Sequence, residues 1–93
     1  MTRQNSDEIE ILLSIDNTSG DLTKIVLEPW AEQIDLRKGD RIELFASGPA
    51  GGAHIDQMFE SGVLVLHARR GWIFAVKING KAVVTGSSDF PAI

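Results

Sequence analysis

Hydrophobic and polar residues alternate along much of this chain. From Glu8 to Asp16, Ile9, Ile11, Leu13 and Ile15 fall on one face and Glu8, Glu10, Ser14 and Asp16 on the other, the period-two signature of a half-buried strand. The turn-forming run Asn17-Thr18-Ser19-Gly20-Asp21 follows. A second strand is predicted over Thr23 to Glu28, with Ile25 and Leu27 sharing a face. Pro29 ends it or confines it to a sheet edge, because proline donates no ladder hydrogen bond.

Ile34-Asp35-Leu36 and Arg41 to Ala46 flank Arg37-Lys38-Gly39-Asp40, which reads as a hairpin with Gly39 at positive φ. Ser47 to Ala53 reads as a flexible connection. His54 to Ser61 is ambiguous between a short helix and an irregular strand. Val63 to Ala68 is apolar on both faces and is expected at the centre of a sheet. Arg69-Arg70-Gly71 turns into Trp72 to Ile78, where Trp72, Phe74, Val76 and Ile78 share one face. Asn79-Gly80 is the strongest hairpin signal in the chain, since both residues tolerate the positive φ of a type I′ turn.

These elements predict an all-β fold, a small β-sandwich or partly closed barrel of six or seven antiparallel strands. One domain over residues 8–86 is expected, with a disordered segment at 1–7 and a tail at 87–93 that shows no periodicity. Ile11, Leu13, Ile25, Leu44, Val65, Phe74 and Val76 are the expected core.

Composition narrows the chemistry. The absence of cysteine excludes disulfides, thiolate catalysis and cysteine-ligated metals. The net charge is −4, and it is uneven: residues 1–40 carry nine acids against four Lys/Arg, and residues 41–93 four against five. Neither half has the basic footprint of a nucleic-acid binder. The N-terminus is polar and acidic, and Val63 to Leu66 is far too short to span a bilayer. A cytoplasmic protein that binds neither nucleic acid nor membrane is expected.

Catalytic motifs are thin. Gly48 to Gly52 is followed by Ala53-His54 rather than the lysine and hydroxyl of a P-loop. There is no nucleophile elbow. His54 and Asp56 would share a strand face, and His67 could approach them from a later strand, a set suited to zinc, iron or hydrolysis. The contrasting reading is two unrelated histidines, and no cofactor is expected. Arg69-Arg70-Gly71-Trp72 suits stacking on a base, or a charged hairpin turn before a core tryptophan. Glu28-Pro29-Trp30 is the most individual feature, its tryptophan either a lid on the core or a binding anchor.

Asn17 and Gly20 at a turn, Glu28-Pro29-Trp30, and Leu36-x-x-Gly39 before a strand resemble a group of small bacterial β-sandwich proteins of uncharacterised function, over residues 8–46. The layout is also similar to cupredoxin-like and immunoglobulin-like sandwiches. That similarity implies a fold only, since a blue-copper site needs a cysteine thiolate.

The function read from these features is a non-enzymatic module that binds a protein partner or its own copy as a homodimer. Glu28, Pro29, Trp30 and Phe45 are its candidate interaction surface. The alternative is a small metal-dependent or hydrolytic enzyme using His54, Asp56 and His67. The apolar residues Leu12, Val26, Trp30, Phe45, Leu64, Leu66 and Ile73 fall outside the clean alternating faces, and Thr23 to Glu28 resembles an exposed edge. Both observations favour self-association.

Overall fold

The computed structural model describes residues 8–49 and 55–93. It is an all-β sandwich of two four-stranded sheets, ordered β1-β4-β7-β8 and β3-β2-β6-β5. The strands are β1 (Glu8–Asp16), β2 (Lys24–Glu28), β3 (Glu32–Asp35), β4 (Arg41–Pro49), β5 (Asp56–Glu60), β6 (Val63–His67), β7 (Ile73–Ile78) and β8 (Lys81–Val83). The eight strands exceed the six or seven expected because 56–60 is a strand, hidden from pattern reading by lying exposed along its whole length. Pairing is antiparallel except between β2 and β6, so the wholly antiparallel expectation is corrected at that one pair.

The core follows the alternation. Ile25, Leu44, Phe74 and Val76 are buried, as expected, together with Leu27, Ile42, Leu64, Leu66 and Trp72. Leu13 on the edge strand β1 is half-buried against them. Val65 is a correction. Its strand is apolar on both faces and gives no phase, and the register Ile25↔Leu64 and Leu27↔Leu66 turns Leu64 and Leu66 inward and leaves Val65 on the outer face. The side chain of Ile11 lies outside the described residues, as do residues 1–7 and the centre of the glycine-rich connection.

Two turns expected as hairpins are crossings between the sheets. Arg37 to Asp40 joins β3 to β4, and these lie in opposite sheets. Gly39 does take φ 89°, but local turn chemistry does not reveal which sheet the next strand joins. Arg69 to Gly71 likewise carries the chain from β6 across to β7. The true two-residue hairpins are Asn79-Gly80 (φ 53° and 82°), expected from the sequence, and Ser61-Gly62 (φ 53° and 83°). β2 is flanked by β3 and β6, so it is an interior strand, and Pro29 stands in the turn after it rather than on an edge.

One end of the sandwich is closed by a polar network around Asn17, which is only 4% exposed. Its Nδ2 donates to the carbonyls of Leu22 and Arg37, both at 2.8 Å, and its Oδ1 accepts from the Leu22 N–H. Its backbone N–H donates to Asp40 O, and its carbonyl accepts from Gly39 N–H at 2.7 Å. The β1–β2 and β3–β4 crossings are thereby tied to one side chain. Asp40 accepts from the backbone N–H of Arg37 and from Asn79 Nδ2, while Asn79 Oδ1 accepts from Arg41 N–H. The Arg37 N–H first, and the Asn79 amide second, hold the Asp40 carboxyl below its ordinary pKa.

At the other end, Ser47 to Pro49 continue β4 rather than starting a flexible loop, with Gly48 paired to Ile9. The indole of Trp72 lies flat on Gly48, where a Cβ would sit 2.5 Å from the ring. Residues 87–93, set apart in the sequence as a tail, are anchored to the sandwich at Ser87 and Ala92. Ser87 is fully buried and bonds Phe74 O, its N–H donates to Glu32 Oε1, and Ala92 exchanges backbone hydrogen bonds with Gly71 and Trp72. Among the described residues, every buried side-chain nitrogen and oxygen has a partner, and no helix is long and apolar enough to cross a membrane.

Gly48→Ala tests the closest approach in the core. The added methyl has no room beside Trp72, so the variant should lose about 1–3 kcal/mol of unfolding free energy and shift the tryptophan emission to the red. Wild-type stability and emission would show that the indole does not rest on this glycine.

Candidate functional site

The sequence grouped Glu28, Pro29, Trp30 and Phe45 as one surface. The structure separates them. Glu28, Pro29 and Trp30 form the β2–β3 turn, whose Glu28–Pro29 peptide is cis and whose Ala31 adopts φ 58°. Glu28 Oε1 accepts the Ala31 N–H at 3.1 Å and holds that turn. The Trp30 ring tilts against the buried Phe74 at a centroid distance of 5.3 Å, and its Nε1 donates to Phe90 O at 2.6 Å. Of the two roles the sequence left open, this geometry is the lid. The indole covers the core with its apolar body and ties down the C-terminal segment with its one donor.

Phe45 lies elsewhere, on the outer face of the β1-β4-β7-β8 sheet. Its neighbours Leu44 and Ala46 point into the core, so β4 alternation puts Phe45 outward. The registers place Leu12, Phe45 and Ala75 in one row across three strands, with Glu10, Ser47 and Ile73 in the next. Leu12 is 57% and Phe45 39% exposed. They border a groove of about 430 Å³ lined also by Glu10, Ser47, Ile73 and Ala75. Charges of both signs surround this apolar strip: Glu10 at one side, and Glu43 opposite Lys77 in the row beyond. Lys77 Nζ stands 5.4 Å from the Phe45 centroid, an exposed cation–π contact that contributes about 0.5–1 kcal/mol. Arg41 and Asp16 make an open ion pair at 4.0 Å, both well exposed, which contributes little.

The alternative site is partly assembled. Asp56 and His67 are direct register partners on β5 and β6, both exposed, and Glu28 is the partner of His67 on the opposite side. His54 lies outside the described residues. Among the described residues, no group of three His, Asp or Glu side chains is arranged to hold a metal. Asp56 and His67 also border a second open cavity of about 430 Å³, which Arg69, Arg70 and Trp72 line as well. Trp72 is buried there, so the Arg-Arg-Gly-Trp run presents a charged crossing followed by a core residue, not an exposed stacking ring. Sequence reasoning missed the exposed pair Met58 and Phe59 on β5. The available signal was Ser61-Gly62, a hairpin dipeptide that implies a strand before it as well as after it.

The two components of Trp30 packing are separable. Trp30→Phe keeps the ring against Phe74 but loses the hydrogen bond to Phe90 O, and should cost about 1 kcal/mol in urea unfolding. Trp30→Ala should cost about 3 kcal/mol. Equal stability of Trp30→Phe and wild type would show the hydrogen bond to be idle.

No protein-family model, no curated protein and no solved structure matches this chain.

Proposed function

We propose that this protein is a non-enzymatic interaction module that self-associates through the outer face of its β1-β4-β7-β8 sheet. The observation that carries this reading is the contiguous apolar row Leu12, Phe45 and Ala75, extended by Ile73 across three hydrogen-bonded strands. Monomeric proteins seldom leave such a row uncovered. The seven apolar residues outside the clean alternating faces divide four ways: Leu64 and Leu66 are core, Trp30 is the lid, Val26 lies beside Val65 on the outer face of the other sheet, and Leu12, Phe45 and Ile73 gather on this face.

A second copy suits the surface for an electrostatic reason. Acids and a cation flank the same strip, with Glu10 and Glu43 on one hand and Lys77 on the other. A two-fold interface brings the patch onto itself, and a patch of mixed sign can set its own acids against the partner's cation. A patch of single sign would repel its copy. The binding energy comes from covering the phenyl and leucyl side chains, while the rim charges set orientation.

Sedimentation equilibrium over a concentration series tests this. Wild type should approach twice its 10.1 kDa chain mass at high micromolar concentration. Phe45→Glu should sediment as a monomer while keeping its unfolding free energy within about 0.5 kcal/mol, as expected of an exposed position. A wild-type protein that stays at the chain mass throughout the series would overturn the reading.

A further inference from the structure

β5 is the outermost strand of the other sheet, paired with β6 alone among the described strands. All five of its residues are exposed. Two are large and apolar, and they point in opposite directions. Met58, 63% exposed, lies opposite Val65 on the outer face, and Phe59, 59% exposed, lies opposite the buried Leu64 and so on the core side. A core-facing phenylalanine with more than half its surface open marks a sandwich layer that stops one strand short. A further strand beside β5 would pair its open edge and cover Met58 and Phe59 from both faces.

Two of the other three edge strands differ: β3 buries Ile34 and commits Glu32 to the Ser87 N–H, and β8 is only three residues long. β1, the remaining edge, belongs to the sheet whose outer face carries Phe45. β5 has no lysine, no proline and no inward-pointing charge, three of the devices that guard an open edge. Its charges are Asp56 and Glu60 at its two ends, both on the Met58 face by period two.

These two acids discriminate between occupants. In the two-fold antiparallel pairing of β5 with its own copy, centred on Met58, Asp56 stands opposite the partner's Glu60 and the reverse. Two like-charge cross-strand pairs then oppose the contact. A strand with cations at those two positions turns both into attractions. Asp56 has a contact of its own; what matters here is the sign of its charge. The acid–apolar–acid order reads the same in either chain direction.

We propose that β5 is a strand-addition site for an extended segment of a partner protein with basic residues four apart and apolar residues between them. The backbone ladder supplies affinity that is independent of sequence, and the flanking cations and the apolar cover over Met58 and Phe59 supply the choice of partner. This site lies on the opposite sheet from the Phe45 face, so one copy can pair through that face and hold a partner strand at β5.

The test uses the full chain and three capped synthetic peptides. They are Gly-Lys-Val-Val-Thr-Lys-Gly, the same peptide with glutamates for lysines, and the lysine peptide N-methylated at every residue between its glycines, which blocks both edges. Wild type should bind the lysine peptide about tenfold more tightly than the glutamate peptide, and amide exchange should slow in residues 56–60. The doubly substituted Asp56→Lys, Glu60→Lys protein should reverse that preference, and N-methylation should abolish binding. The Phe45→Glu variant should still bind the lysine peptide, which separates this site from the self-association face. Equal affinities for the two charged peptides, or slowed exchange at a different edge, would overturn the proposal.

Discussion

A single buried amide constrains how the two sheets of this protein meet. Asn17 stands where the chain leaves the first sheet for the second, and its side chain bonds both to the crossing it begins and to the crossing by which the chain returns. A carboxamide suits this place because it carries a donor pair and an acceptor on one planar group. Two carbonyls, of Leu22 and Arg37, face Nδ2, and one N–H, of Leu22, faces Oδ1. A buried carbonyl left without a donor would cost about 1–3 kcal/mol. Satisfying both with one residue lets two sheet-to-sheet crossings share a tight end.

Much of the remaining geometry depends on those crossings. β1 and β4 enter and leave the same corner, and their antiparallel register runs from Asp16↔Arg41 to Glu8↔Pro49. That register puts Leu12 beside Phe45 and creates the apolar row on the outer face. Since β2 and β3 lie in the other sheet, β2 is free to take β6 as its parallel neighbour, and β5 becomes the outermost strand. The opposite end is held by other means, with aromatic packing of Trp30 on Phe74 and of Trp72 on Gly48, and with the C-terminal segment bonded across both sheets. The core is therefore sealed at one end by hydrogen bonds and at the other by rings. The surfaces left for a partner are a sheet face and a sheet edge.

What was legible in the sequence was whatever alternation or a two-residue turn encodes locally. Ile25 and Leu44 are buried because charges on the opposite face of their strands, Lys24 and Glu28 or Arg41 and Glu43, declare the phase. Phe74 and Val76 are buried on β7, where the larger apolar side chains of Phe74 and of Trp72 just before the strand mark the inner face. Asn79-Gly80 is a hairpin because its backbone angles allow little else. Val65 failed because an all-apolar strand has no phase of its own and takes it from β2. Arg37 to Asp40 failed because Gly39 fixes a reversal of direction and not the sheet that receives the next strand. That choice is made by Asn17, twenty residues away from Arg37. Gly48 read as loop because a glycine required by a neighbouring indole looks the same as one required by a turn. Trp30 was legible as a feature and open as to role, since only the position of Phe74 and Phe90 decides between lid and anchor.

The role of Asn17 is tested most directly by Asn17→Asp, with urea-unfolding free energies compared to wild type from about pH 3 to about pH 8. Aspartate keeps the shape and the acceptor but sets a carboxylate against two carbonyls, so its folded-state pKa should rise above the usual value of about 3.9. The variant should then lose about 2–4 kcal/mol near neutral pH. The loss should shrink as the pH falls through the raised pKa, because the protonated acid can donate to one of the carbonyls. A penalty under about 1 kcal/mol at neutral pH, or one that does not change with pH, would contradict the account.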